Sequence, residues 1–362
     1  AYKNPDGVSR AGCAYCGYCE RFGCMVGAKS QPTNTLMPVL SKKKSFALRT
    51  GCWVRRVVHR DGRATGVEYV DASGEEVFQP ADVVVLAAFT VSNVKLLALS
   101  KIGDPYDPES GRGTLGKNLT HQVSGVGTRL FFDGPVNSFM GSGALGEMIA
   151  DFDGDHGLTG DEGILRCGTI GLASSGGRPI AGFGAMPSGT VKSDWGSEWK
   201  AAAIEWRDRV AQIGFNGVHL AHRRNYMDLD PRYKDKAGDP LIRFTLDWTE
   251  HEHRQRAFAA GIETKIARAM GVRFDEPRLT RAPYNTVNYQ STHVQGGAVM
   301  GASPETSVVN PDLRHWQVPN LWVIGASAFP QNASGNPTMT ALALTYRAAE
   351  DLIAAGKKGG LA

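Results

Sequence analysis

Apolar positions along the chain fall into two rhythms. Between Trp53 and Leu86 they alternate or form short runs broken by turn residues, which is how strands read. Trp53 to His59 and Ala64 to Val70 read as strands around an Asp61-Gly62 turn, with Phe46 to Arg49 as a shorter strand before them. Asp71 to Gly74 make the next turn and Glu75 to Gln79 the next strand. Val83 to Leu86 is apolar without alternation, as in a strand buried in a parallel sheet, and leads through Ala87 and Ala88 into a helix over Ser92 to Ser100. Leu321 to Ile324 repeats that run, ends in Gly325-Ala326-Ser327, and is followed by Asn336-Pro337-Thr338 opening an apolar helix. Small residues where a strand passes into a helix let backbone N–H groups approach a cofactor, and they serve tight packing equally well.

From Leu115 to Arg243 glycines multiply between apolar stretches such as Val123 to Phe132 and Ile164 to Leu172, which predicts a sheet-based substrate domain. Ser174 to Gly189 is rich in Gly, Ser and Pro and is a candidate lid or pocket loop. Trp195, Trp199 and Trp206 have the spacing of a helix that buries its indoles. Asn225 to Asp247 reads as short strands with turns at Asp230-Pro231 and Gly238-Asp239-Pro240. A long helix follows. Thr249 and Glu252 form its capping box, Phe258, Ile262 and Ile266 its apolar face, and Gly271 its end. His251 and His253 fall on different faces of its first turn, which predicts solvated side chains. The fold class expected is α/β (α+β).

Composition narrows the options. With 362 residues, 42% of them hydrophobic, the chain can bury one or two sizeable cores. A net charge of +4 and the absence of a long basic run argue against a nucleic-acid surface. No apolar stretch matches a bilayer span and the beginning lacks an export pattern, so a soluble chain without a visible signal is expected.

Four of the six cysteines crowd into CAYCGYCERFGC, as Cys13, Cys16, Cys19 and Cys24. Two-residue gaps strain disulfides but let thiolates converge on one centre. An iron-sulfur cluster, a zinc site, and free or bridged structural cysteines are the three readings open, the first closest to a ferredoxin spacing. Cys52 and Cys167 read as ordinary apolar positions.

The remaining chemistry lies near the C-terminus, where His293 stands beside glycines in STHVQGGAVMG, ahead of the Asn336-Pro337-Thr338 helix start. A lone histidine near glycines is more often structural than catalytic. No G-x-G-x-x-G follows a strand near the N-terminus.

The segments THVQGGAVMG and VVNPDLRHWQVPNLWVIGASAFPQNASGNPTMTALALTYRAAEDLI resemble the C-terminal signature of the glucose-methanol-choline (GMC) family of flavin oxidoreductases. VVVLAAFTVSNVKLLALS, LGKNLTHQ and NYMDLDPRYKDKAGDPLIRFTLDW lie in that family's order, and CAYCGYCERFGCMVGAKSQP with GGRPIAGFGAMPSGT is most similar to flavoprotein subunits of bacterial gluconate and sugar dehydrogenases. The resemblance implies the C-terminal portion of a GMC-type FAD-binding domain plus an antiparallel-sheet substrate domain. The divisions expected are a cluster-binding segment to residue 35, FAD-binding residues 36–120, a substrate domain over 121–285, and a C-terminal FAD-binding and catalytic segment over 286–362.

It further implies FAD as cofactor, His293 as the base that takes a hydroxyl proton, and Asn336 as its hydrogen-bonding partner. Ala326, Pro337 and Thr338 match positions near the flavin ring and Val54 a backbone contact to adenine; Ala88 and Gly325 are the strand-to-helix positions beside the cofactor. Cys13, Cys16, Cys19 and Cys24 would hold a three-iron or four-iron cluster passing electrons to a cytochrome or quinone-linked acceptor. A sugar or sugar acid is the implied substrate, and a small subunit and a chain or segment supplying the missing Rossmann half are implied partners. The implied place is the periplasmic face of a bacterial membrane, held there through partner subunits. Two alternatives stand beside it: a glycoside or sugar 3-dehydrogenase of the same family, and a non-catalytic subunit carrying only the cluster.

Overall fold

A computed structural model describes the chain except for residues 17–18, 20–21, 125–126, 138–145, 155–162, 174–183, 276, 278, 280, 285–292 and 360–362. It divides into two compact units, each assembled from three separate stretches.

One unit comprises Thr50–Val123, Gly217–His253 and Ala282–Ala362. Trp53–Arg60, Arg63–Val70 and Glu76–Pro80 form an antiparallel three-stranded sheet, with Asp61 and Gly62 both at positive φ in the first turn. Val84–Leu86 and Leu321–Val323 pair in parallel with Val84 opposite Leu321, as their unalternating apolar runs predict. Trp322, Leu321, Leu97, Leu119 and Leu313 are at most 1% exposed, each contributing on the order of 2–3 kcal/mol by burial. Buried Asn320 joins the two sheets: its amide donates to the carbonyls of Ala64 and Asp82, both at 2.8 Å, and its Oδ1 accepts the Ala64 N–H at 2.9 Å. Thr120–His121 pairs antiparallel with Val294–Gln295, and Tyr226–Lys234 with Pro240–Thr245.

Two helices frame the parallel pair. Thr90–Leu99 starts two residues earlier than its pattern predicts and buries Val94, Leu96 and Leu97. Thr338–Lys357 follows Asn336-Pro337 as expected. Ala348 is its one buried residue, while Met339, Leu342, Tyr346 and Ile353 form an exposed apolar stripe at helical spacing.

The other unit comprises Ala1–Arg49, Ser124–Asn216 and Arg254–Arg281. Its five-stranded sheet runs in the order Arg273–Phe274, Gly127–Phe131, Val210–Gly217, Gly168–Ala173, Gly146–Ile149. The ladders to Gly127–Phe131 and between the last two strands are antiparallel. No helix among the described residues is long and apolar enough to cross a membrane.

Several local expectations change. Phe46 to Arg49 is not a strand, because the Phe46 N–H is taken by the Lys43 carbonyl in a turn at 3.0 Å. Asp230-Pro231 lies inside a strand, where the Asp230 carboxylate accepts the Arg232 and Tyr233 N–H groups and supports an irregular register. Ser197–Trp206 is helical and packs Trp206 edge-on against Phe131, but Trp195 precedes the helix and is 80% exposed. Most of Ser174 to Gly189, residues 174–183, lies outside the described residues.

The helix Glu250–Met270 shows the largest difference. Its most buried positions are Glu252, Gln255, Arg256, Ala259, Ala260, Glu263 and Ala267, whereas Phe258, Ile262 and Ile266 are only half-buried. Small alanines set the separation from neighbouring elements, and polar groups on the same stripe find buried partners. In the second unit the Thr128 hydroxyl donates to Glu263 Oε2 at 2.9 Å.

Candidate active site

His293 is placed by the glycines that follow it. Gly296 and Gly297 both have φ +89°, and a Cβ on Gly296 would lie 1.9 Å from the Asn118 carbonyl oxygen. Only glycine lets this backbone pass so close. The chain is locked there, Gly297 N–H donating to Lys117 O at 2.9 Å and Gly296 N–H to Ala326 O at 3.1 Å. Val294 then pairs with His121, which brings His293 beside Gln122. The Nδ1 of His293 is hydrogen-bonded to Gln122 Oε1. Half-buried, His293 has its pKa lowered, first by burial and then by the nearby His121.

The loop carrying Asn336 is fastened at alternate residues. Asn118 donates to the Pro330 carbonyl at 2.9 Å, Asn332 Oδ1 accepts the His219 N–H at 3.3 Å, and Gln122 Nε2 donates to the Ser334 carbonyl at 2.6 Å. Asn336 stands exposed at the end of this loop, with Pro337 half-buried and Thr338 exposed at the helix start. Gln122 thus bonds to His293 and to the loop leading to Asn336.

At the carboxyl ends of the parallel strands, two turns lie side by side. Ala88 is exposed, and Phe89 holds φ +75°, a costly conformation for a side chain of its size. Gly325 has φ +96°, and a Cβ there would meet nothing within 4 Å. Asn93, 1% exposed, clasps the two turns together. It accepts the Ala88 N–H at 2.9 Å and donates to Ile324 O and Ser327 Oγ, both at 3.0 Å. Ala326 opens the short 3-10 turn behind Gly325. Val54 lies apart from this group, half-buried in the edge strand of the three-stranded sheet.

Sequence reasoning missed a second polar cluster. His219, fully buried, accepts the His121 N–H on Nδ1 at 3.1 Å, and burial pushes its pKa down to about 4. His222 Nε2 is 2.8 Å from Glu252 Oε1. Thr249 donates to Glu252 Oε2 from its N–H at 2.8 Å and its hydroxyl at 2.6 Å. Burial alone would raise the Glu252 pKa; hydrogen bonds from His222, His251 and Thr249 outweigh it and keep the carboxylate ionised. His251 is not solvated but buried, its Nδ1 3.4 Å from the same carboxylate. His219, His222 and Glu252 each place a ligand atom within 4.8 Å of the others, the spacing of a metal trio. His219 Nδ1 accepts the His121 N–H, its Nε2 lies 3.1 Å from Asn225 Nδ2, and both Glu252 oxygens already accept hydrogen bonds.

Two family models described as GMC oxidoreductase match residues 7–124 and 221–345. The chain is 39% identical over 359 residues to the gluconate 2-dehydrogenase flavoprotein of Pantoea cypripedii, covering 96% of this chain and 57% of that protein. The chain belongs to the GMC oxidoreductase family. The large subunit of fructose dehydrogenase from Gluconobacter japonicus is 26% identical over 298 residues, covering 82% of this chain and 52% of that one. Pyridoxine 4-oxidase from Mesorbium loti shares the GMC fold, with TM-score 0.60 and 18% identity over 88% of this chain and 60% of that one. The chain thus spans a little over half the length of these curated relatives.

The GMC cofactor is a flavin, and the turns around Ala88 and Gly325 fit one. Open space before a glycine at positive φ, at the carboxyl edge of parallel strands, admits a planar group against bare backbone. Val54 lies on an edge strand, paired with Tyr69. The cysteines fit a metal less completely. Cys13 and Cys24 accept the N–H groups of Tyr15 and Lys29 at 3.3 and 3.5 Å, and the Cys24 pKa is lowered chiefly by the Lys29 N–H. Among the described residues, the four sulfurs are not drawn together as zinc, with bonds of about 2.3 Å, would draw them.

Proposed function

We propose that the chain is the catalytic portion of an FAD-dependent dehydrogenase that oxidises a secondary alcohol of a sugar or sugar acid. The observation that carries this reading is the environment of His293: a half-buried imidazole with a lowered pKa, hydrogen-bonded on one nitrogen and so neutral near pH 7. A bound flavin supplies the acceptor for the substrate's carbon-bound hydrogen and its electron pair. His293 takes the hydroxyl proton as the C–O bond becomes a carbonyl. Asn336 donates a hydrogen bond to that oxygen without titrating. Ala88, Gly325, Ala326, Pro337 and Thr338 would line the flavin, and Val54 would meet its adenine through backbone.

Cys13, Cys16, Cys19 and Cys24 would hold a three-iron or four-iron cluster that passes electrons singly to a cytochrome or quinone-linked acceptor, in an assembly with a small subunit at the periplasmic face of a bacterial membrane. Their spacing and the N–H bonds to Cys13 and Cys24 support this part. The rest of the FAD site would come from a segment or chain seated against the exposed stripe Met339, Leu342, Tyr346 and Ile353, an apolar face that a solvated helix does not require. The cysteine motif favours one other reading, a non-catalytic carrier of the cluster.

His293→Ala in the complete assembly separates the two. Dye reduction with gluconate falls by about 100-fold or more if His293 is the base. Undiminished turnover by that variant would sink the catalytic reading.

A further inference from the structure

We infer that Gln122 is a positioning residue for the base: it fixes His293 as the Nδ1–H tautomer, leaving the Nε2 lone pair for the proton, and it couples His293 to the loop bearing Asn336. The inference rests on the reading of His293 as base and adds to it a residue that the sequence gives no reason to single out.

Gln122 is 1% exposed, and its amide has one accepting and one donating end. The Ser334 carbonyl can only accept, so the contact of 2.6 Å requires the NH₂ end of Gln122 there. Its Oε1 is then the end that meets His293 Nδ1. That oxygen can only accept, so Nδ1 carries the hydrogen. A neutral imidazole has one such hydrogen, and Nε2 is therefore the basic nitrogen. Among the described residues the titratable group that faces His293 is His121, on the paired strand. It disfavours the imidazolium and so supports a neutral ring.

The choice of an amide has a chemical reason. A carboxylate at this place would also hold the Nδ1 hydrogen, but its charge would stabilise the imidazolium and raise the pKa of the base. It would also repel the Ser334 carbonyl. Gln122 holds the tautomer without that charge. Ser334 lies two residues before Asn336, so one side chain sets the orientation of the base and the seat of the loop carrying its partner.

The test uses the complete enzyme with gluconate and a dye acceptor, in Gln122→Glu and Gln122→Met. Gln122→Glu is expected to move the acid limb of the kcat/KM profile upward by about one pH unit. Gln122→Met is expected to lower kcat by about 10- to 100-fold with KM within about twofold, because the ring is then shared between tautomers and orientations. Both variants keeping the parent's pH profile and kcat would overturn the inference. A second measurement does not depend on turnover or on the variants folding. In protein labelled with ¹⁵N-histidine, the His293 signals, identified by their loss in His293→Gln, should show Nδ1 protonated and Nε2 bare above the ring's pKa. An Nε2–H ring in the parent overturns the inference. A parent enzyme inert toward gluconate counts instead against the proposed function, and the ring signals still decide the tautomer.

Discussion

Asn93 binds the Ala88 turn to the Ile324 turn, accepting from one and donating to the other at 2.9 and 3.0 Å. Its side chain is buried and its three contacts include Ser327, so removing it leaves an N–H and a carbonyl without partners. Asn93→Leu should cost about 2–3 kcal/mol of stability, read by thermal unfolding. The same variant should lose FAD on dialysis, because the turns it clasps are those proposed to face the flavin. Unaltered stability would show that the amide is not the clasp.

Gly325→Ala tests the cofactor edge more selectively. The new methyl meets no atom, so the cost comes from φ +96° and should be about 1 kcal/mol. Gly271 is a matched control, at φ +66° and also in open space. FAD affinity, measured by flavin fluorescence, should fall about tenfold or more in Gly325→Ala and stay unchanged in Gly271→Ala.

Glu263 makes stability fall toward alkaline pH. Burial raises its pKa from 4.5 to about 7, with only the Thr128 hydrogen bond opposing. The folded state therefore holds the proton more tightly than the unfolded state. The stability this contributes is full below pH 4.5 and is lost as pH rises toward 7 and beyond, by up to about 3 kcal/mol. Glu263→Gln, which keeps an acceptor for Thr128, should lose this downward contribution, so that in urea unfolding its stability rises more steeply than the parent's between pH 5 and 6.5 and falls less above that range.

His219 acts in the opposite sense. Its pKa falls from 6.5 to about 4 on burial, so the unfolded chain takes up a proton first as pH drops. Stability present above pH 6.5 is lost on the way down to pH 4, by about 3 kcal/mol, and protonation of the depressed Glu252 adds to the loss at lower pH. Because Glu263 offsets this between pH 4.5 and 6.5, the acid slope should appear most clearly in the Glu263→Gln background. Adding His219→Gln there should remove about half of the slope between pH 4 and 6.5, because buried His315, whose pKa burial also lowers to about 4, contributes a similar share.

The local pattern of the chain was enough to place the strands of the three-stranded sheet, the parallel pair, the Thr249 and Asn336-Pro337 helix starts, and the family's signature around His293. Each of these depends on neighbours a few residues apart, through periodicity, turn chemistry or a contiguous motif. The tertiary structure alone decided which polar groups meet. Gln122 reaches His293 across 171 positions and Ser334 across 212, and Asn93 reaches Ile324 across 231. It also decided that the buried stripe of Glu250–Met270 is alanine and charge, with Phe258, Ile262 and Ile266 at its flank, and that His251 is buried beside Glu252. An amide or carboxylate reads the same in the sequence whether solvated or buried. Its role follows only from the partner that folding sets within 3 Å.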